Sequence, residues 1–310
     1  MTGDARRWWM GGTLIVTLAL LAGPRVVRGQ DLEPRAYSNA PVGLNFLVVG
    51  YANTDGNVAV DPTVPLTDAQ ITTNSGIVAY ARTLDAWGRS AKFDVVAAAT
   101  SLSGTAAYAG EPVERDISGL TDTRVRFTMN LFGAPAMTAR EFAGYHQDLN
   151  LGASLQVGAP TGQYDATRLV NIGTHRWSFK GELGLSKALG AWTLELMPAV
   201  TLYTDNDDFL DGQTRSQEPV YSVQVHVVYG FRSGMWLALD GTWFTGGRTE
   251  TDGVPSAVEF DNTRVGATFA LPLDRRHSLK AYASTGTATR TGGDFTALGL
   301  AWQYRWGGGL

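Results

Sequence analysis

Residues 219–232 read PVYSVQVHVVYGFR, and the alternation within them decides the fold. Tyr221, Val223, Val225, Val227, Tyr229 and Phe231 fall on one side of an extended strand, while Ser222, Gln224, His226 and Arg232 fall on the other. Successive side chains of a strand point to opposite faces, so this pattern makes one apolar and one polar surface. The same period returns near the C-terminus, where Leu298, Leu300, Trp302, Tyr304 and Trp306 oppose Gly299, Ala301, Gln303 and Arg305. It returns again where Trp192, Leu194, Leu196, Val200 and Leu202 oppose Thr193, Glu195, Thr201 and Tyr203.

Extending that parity outward predicts about twelve strands, near 42–54, 71–84, 90–103, 121–132, 148–158, 175–187, 191–204, 219–232, 235–246, 261–272, 277–287 and 294–306. The parity places Arg82, Lys92, Asp94, Arg124, Arg126, Lys180, Glu182, Glu195, His226, Asp240, Arg264, Lys280 and Arg305 opposite the apolar face. A lysine or arginine facing hydrocarbon at mid-bilayer costs roughly 2–4 kcal/mol, so such exclusion is what a lipid-facing band requires. The expected fold is therefore all-β: a transmembrane antiparallel barrel over residues 42–310, with its charges turned into the lumen. A soluble sandwich or lipocalin-like barrel would show the same alternation with the faces exchanged.

Three features favour the membrane arrangement. The polar face is rich in Gly, Ser, Thr and Asn, unlike the Lys/Glu coat of a soluble surface. Aromatic residues gather near strand ends, with Trp87, Trp192, Trp302, Tyr304 and Trp306 toward one rim and Trp177 and Trp243 toward the other. Connections also alternate in length. Short turns at 85–89, 188–191, 233–234 and 274–276 separate longer stretches around 55–70, 104–120, 159–174, 205–218 and 247–260. Short periplasmic turns and longer external loops are the habit of outer-membrane barrels, and an even strand count leaves both termini in the periplasm. One connection, 133–147, is too long for a plain turn and carries a helix-compatible stretch after Thr138.

The N-terminus fits export. Arg6 and Arg7 precede an apolar run from Trp8 to Gly23, and Val27-Arg28-Gly29 offers a cleavage site before Gln30. The run is shorter than the ~20 residues that a spanning helix needs, and no later run is long enough either. Residues 1–29 are thus read as a signal peptide, and 30–41 as a periplasmic segment or a plug for the lumen. Cysteine is absent, which excludes disulfides, thiolate metal sites and cysteine nucleophiles. A net charge of -4 without a basic stripe gives no footprint for nucleic acid.

Several segments resemble the outer-membrane family named for the meta-pathway of phenol degradation. They are EPRAYSNAPVGLNFLVVGYA (33–52), GRSAKFDVV (88–96), DTRVRFTMNLFGAPAM (122–137), ASLQVGAPTGQYD (153–165), NIGTHRWSFKGELGLSKALG (171–190) and RVGATFALPL (264–273). The resemblance implies an outer-membrane location in a Gram-negative bacterium, delivery by the barrel assembly machinery, and passage of small molecules, aromatic or hydrophobic ones among them. The family name implies no enzymatic activity. One departure is that Gly307-Gly308-Gly309-Leu310 follows the last aromatic, Trp306, whereas many outer-membrane chains end on the aromatic itself.

Chemical motifs are sparse. His146, His175, His226 and His277 form no metal-ligand pair, and no cofactor motif is present. A membrane hydrolase would need a His-Ser pair at the lipid-facing rim, and no local signature supplies one. Asp205, Asp207, Asp208 and Asp211 could offer calcium ligands, although their spacing departs from the EF-hand and suits a solvated turn. Ala159-Pro160-Thr161-Gly162 is turn chemistry with no phosphate-binding sequel. The candidate solute pathway is the charged inner face from Arg82 to Lys280. Its ionic residues could serve as cross-strand pairs that fill the barrel or as groups that tune a pore. A narrow passive channel, a closed structural or adhesive barrel, and a membrane-embedded hydrolase are the three readings these residues leave.

Overall fold

The computed structural model describes residues 32–57, 66–108, 110–256, 259–289 and 294–309. The signal-peptide reading of 1–29 lies outside them. Seventeen strands are present among the described residues: β1 Leu44–Asn57, β2 Leu66–Ala86, β3 Arg89–Tyr108, β4 Glu111–Leu120, β5 Thr123–Phe132, β6 Leu149–Ala159, β7 Ser178–Leu189, β8 Trp192–Tyr203, β9 Asn206–Phe209, β10 Gln213–Gln217, β11 Val220–Gly230, β12 Trp236–Gly246, β13 Thr249–Thr251, β14 Val254–Pro255, β15 Phe260–Pro272, β16 His277–Thr289 and β17 Asp294–Gly307. Thirteen form one sheet, and pairing of β2 with β3 closes it into a ring. β4 and β5 both pair with β3, at its outer and inner halves, and so share one position in the wall. The barrel consequently has twelve staves, the expected number. Closure removes every sheet edge, which a strand in hydrocarbon could not leave unpaired.

Each wall strand is antiparallel to its neighbours, and β1 meets β17 in register from Leu44↔Gly307 to Asn57↔Asp294. Side chains that alternation assigns to the apolar face lie outside. Leu155, Leu183, Leu239, Leu298 and Leu300 are all more than half exposed, although they are large and apolar. Their partners in parity, Asp94, Glu182, Glu195, His226, Asp240 and Arg264, are buried inside the ring. An apolar belt around a closed barrel with an ionic interior is a lipid-facing surface, and the chain is an outer-membrane barrel. Aromatic clusters mark the short-turn rim: Trp192 meets Tyr229 at 4.8 Å, and Tyr80 meets Trp306 at 6.2 Å.

Arg82 departs from expectation. It shares the outward parity of Val78 and Tyr80, opposite Asn45 and Phe93, and is exposed. Its position near the Trp87-Gly88 turn explains why: close to the rim a long cationic side chain can reach headgroups and water, so exclusion of charge weakens there. Lys187 and Asp261 hold outward positions at other strand ends for the same reason.

The outer connections also contain more sheet than their sequence suggests. The stretch 104–120, expected as a loop, is the end of β3 and all of β4, a hairpin rising above the belt. Its outward residues Ser101, Ser103 and Thr105 are polar, because at that height they meet water and no apolar face is required. Likewise 205–218 and 247–260 supply β9, β10, β13 and β14, which make a separate four-stranded sheet. At the opposite rim the helical stretch after Thr138 is α1, Ala139–Phe142, opened by a capping box in which Thr138 and Glu141 satisfy each other's backbone N–H groups.

Candidate functional site in the barrel lumen

The inner surface is organised by strand-borne polar networks and two segments that cross the lumen. On β11, β12 and β15, His226 Nδ1 lies 2.6 Å from Asp240 Oδ1, and Thr268 Oγ1 donates to Asp240 Oδ2 at 2.8 Å. All three are buried, so the carboxylate is shielded from water and held by both neighbours. Next to it on β8, Glu195 accepts from Ser186 Oγ at 2.8 Å. Across the lumen, Arg126 of β5 donates to Asp94 Oδ1 at 3.2 Å, and Lys92 approaches the same oxygen at 3.9 Å. Lys180 and Glu182 pair at 2.7 Å along β7. Arg264 reaches Ser284 Oγ at 2.8 Å and lies over the Phe295 ring at 3.2 Å.

Of the residues expected to line the pathway, Lys92, Asp94, Arg124, Arg126, Lys180, Glu182, Glu195, His226, Asp240, Arg264 and Lys280 take the inward side, and Arg82 does not. They do not converge on one centre. Asp94 and Arg126 group with Lys92, His226 groups with Asp240, and Lys280 stands exposed on the inner side of β16. His226 is turned away from lipid, so a lipid-cleaving His-Ser pair at the outer rim is not what it builds.

The segment from Leu32 to Val42 runs inside the ring. Glu33 pairs with Arg126. The backbone N–H of Arg35 donates to Glu195 Oε2 at 2.6 Å, and its guanidinium lies 5.7 Å from the Trp236 ring. Tyr37, 1% exposed, donates to Glu182 Oε1 at 3.1 Å. Its ring occupies a slot made by Gly152 and Gly184, which face each other in register on β6 and β7. A Cβ at Gly184 would stand 2.0 Å from the ring, and one at Gly152 would stand 2.4 Å from it. Asn150 Nδ2 donates to the Tyr37 carbonyl at 3.1 Å, and Val42 N–H donates to Met137 O at 2.8 Å, returning the segment to the rim.

The second crossing segment is the connection between β6 and β7. Asp122, between β4 and β5, clamps both its ends: Oδ1 accepts from Gly162 N–H at 2.9 Å, while Oδ2 accepts from Thr174 N–H at 2.9 Å and Thr174 Oγ1 at 2.6 Å. Asn171 holds the interior turn by accepting from Asp165 N–H at 2.8 Å and donating to Arg168 O at 2.8 Å. Val170 then packs against a buried cluster of Ala69, Ile71, Leu102, Phe295 and Ala297, carried by β2, β3 and β17. Those strands lie several staves from β6 and β7, so the connection folds inward over the lumen. Asn206 donates to Tyr164 OH at 2.8 Å and is tied to this connection.

A family model described as "Putative MetA-pathway of phenol degradation" matches residues 51–304. The chain belongs to that family. Among solved structures, the barrel is similar to the COG4313 outer membrane channel from Pseudomonas putida F1, with a TM-score of 0.74 and 21% identity over 89% of this chain and 100% of that one. It is less similar to the transport unit of the autotransporter AIDA-I from Escherichia coli, at a TM-score of 0.49 and 9% identity over 84% of this chain and 90% of that one. No curated protein matches by sequence. The family match covers nearly all the wall strands, while the crossing segment from Leu32 to Val42 precedes it.

Tyr37, Gly152, Gly184, Asp122 and Val170 do not announce themselves as site residues in the sequence. The paired glycines are the detectable signal, because a glycine on the inward side in mid-strand marks a place where something approaches the backbone closely. Nothing local says what approaches.

Proposed function

We propose that the chain is a passive channel for small molecules across the outer membrane, with a passage narrowed by the Leu32–Val42 segment acting as a plug. The observation that carries this reading is that open space remains beside two of the inner cations: the side chains of Lys92 and Lys180 are 29% and 24% exposed inside the ring. Water in that space would spare them a desolvation cost of several kcal/mol per ion. Solutes of small cross-section would follow the same water past Arg126 and Glu195, whose charges would tune which ones pass. The resemblance to an outer membrane channel and the family's name support the class of function; the solutes, aromatic or hydrophobic ones among them, belong to the proposal. Residues 1–29 would be removed on export and the mature chain handed to the barrel assembly machinery. No catalytic step is assigned to His226 or to any other lumen residue.

Planar-bilayer recording tests this. Defined single-channel steps whose size changes in Arg126→Ala or Glu195→Ala are expected. A silent bilayer from correctly folded protein would favour a shut structural or adhesive barrel, a reading that the fully seated Tyr37 ring supports. Lipid hydrolysis lost in His226→Ala would overturn the non-enzymatic assignment.

A further inference from the structure

The outer end of the barrel holds a cavity of about 190 Å3 between its wall and the inturned β6–β7 connection. Ile71 of β2, Leu102 of β3 and Val113 of β4 line it from the wall, Leu169 and Val170 from the connection, and Leu210 from the β9–β10 turn. Charge is confined to Glu114, Arg115 and Arg168. Glu114 and Arg168 are exposed, which puts them at the mouth, and Arg115 Nε donates to the Val170 carbonyl at 3.1 Å. Val113 is 38% exposed, so the mouth opens to water at the outer end.

Leu210 is there at a cost. Its φ of 42° lies in the left-handed region, which disfavours a residue bearing a side chain. The next residue, Asp211, ties the turn to the connection through its N–H to Ala166 O at 3.0 Å. The β9–β10 hairpin turn thus sets the leucine against the cavity. An enclosed apolar cavity of roughly 150 Å3 accepts benzene. We propose that this cavity binds a compact, uncharged apolar solute, one ring with small substituents, before it enters the lumen. The proposal rests on the reading of the barrel as a passage and names the class of molecule that its outer end selects. The floor of the cavity is Ile71, Leu102 and Val170, the apolar layer that also contains Phe295, so a solute held there already touches the inner wall.

The natural chain has no cysteine, so one introduced thiol reports one place. In the purified full-length barrel, Val113→Cys is labelled with methyl methanethiosulfonate while toluene is titrated to its aqueous solubility. Labelling is expected to slow saturably, roughly tenfold at ten times the half-protecting concentration. Asp207→Cys, exposed on β9, should be unprotected, and benzoate should protect neither. Adding Ala106→Phe, which fills the cavity, should abolish protection of Val113→Cys; Leu169→Phe serves if the first variant loses heat-modifiable migration. Absence of protection, equal protection of Asp207→Cys, protection that survives filling, or benzoate acting as well as toluene would each overturn the proposal. Conductance of the same samples separates the two readings: steps without protection remove only the site, and protection without steps removes only the passage.

Discussion

Replacing Gly184 by alanine should unseat the segment inside the barrel. The added Cβ would lie 2.0 Å from Tyr37 Cε2, 2.1 Å from Cδ2 and 2.4 Å from Cζ, so the methyl and the ring cannot share the slot. Neither neighbour yields easily, since Gly184 belongs to a paired strand and Tyr37 is held through Glu182 and Asn150. Forcing an extra methyl into a packed site costs about 1–3 kcal/mol. Lifting a large side chain into water costs about 1.5–3 kcal/mol. The system takes the cheaper route, so the seated state loses about 2 kcal/mol, a shift of roughly thirtyfold between seated and unseated populations. Gly181 faces outward on the same strand, where an added Cβ would meet nothing within 4 Å, and is the matched control. Two assays read the effect: protease cleavage near Tyr37 should accelerate in Gly184→Ala, and bilayer conductance should rise or open more often, with Gly181→Ala like the parent in both. If Gly184→Ala left cleavage and conductance at parental values while folding normally, the segment would not be held by this slot and the plug assignment would fail.

Asp240→Ala removes the shared acceptor of His226 and Thr268, leaving two buried donors without a partner, and should lower stability by about 2–4 kcal/mol in urea unfolding from detergent. Arg82→Ala should leave both stability and conductance within error of the parent, because the side chain lies on the lipid-facing side near the short-turn rim; a changed single-channel step would return Arg82 to the pathway. Glu141 is held below the usual carboxylate range by the Thr138 backbone N–H and then by its hydroxyl. Its contribution to α1 is therefore fully present above the ordinary carboxylate pKa and lost as pH falls through the lowered value. Protection of the Phe142 amide, taken as its exchange rate relative to the intrinsic rate at each pH, should fall on acidification in the parent, and be low and insensitive to that titration in Glu141→Ala.

Strand count, the side that most wall residues take, and the outer membrane as destination were legible because alternation is a local code: a strand turns every second side chain the same way wherever it sits. Val225 and Leu300 could be assigned to lipid without knowing their neighbours. The code weakens where its cause weakens. Arg82 lies near the rim, where charge is tolerated outside, and β4 rises into water, where no apolar face is needed, so both escaped it. Family membership was legible too, and the family match over residues 51–304 takes in nearly all of those same wall strands.

What occupies the interior was decided only by the closed ring. Tyr37 meets Gly184 from before the first wall strand, and Val170 reaches a cluster built from β2, β3 and β17. Such contacts depend on which staves stand opposite each other and how far a connection can reach, and neither quantity is written in the period of any one strand. Inward parity is a property of single residues, whereas a slot, a plug or a cavity is a property of several strands brought together by closure.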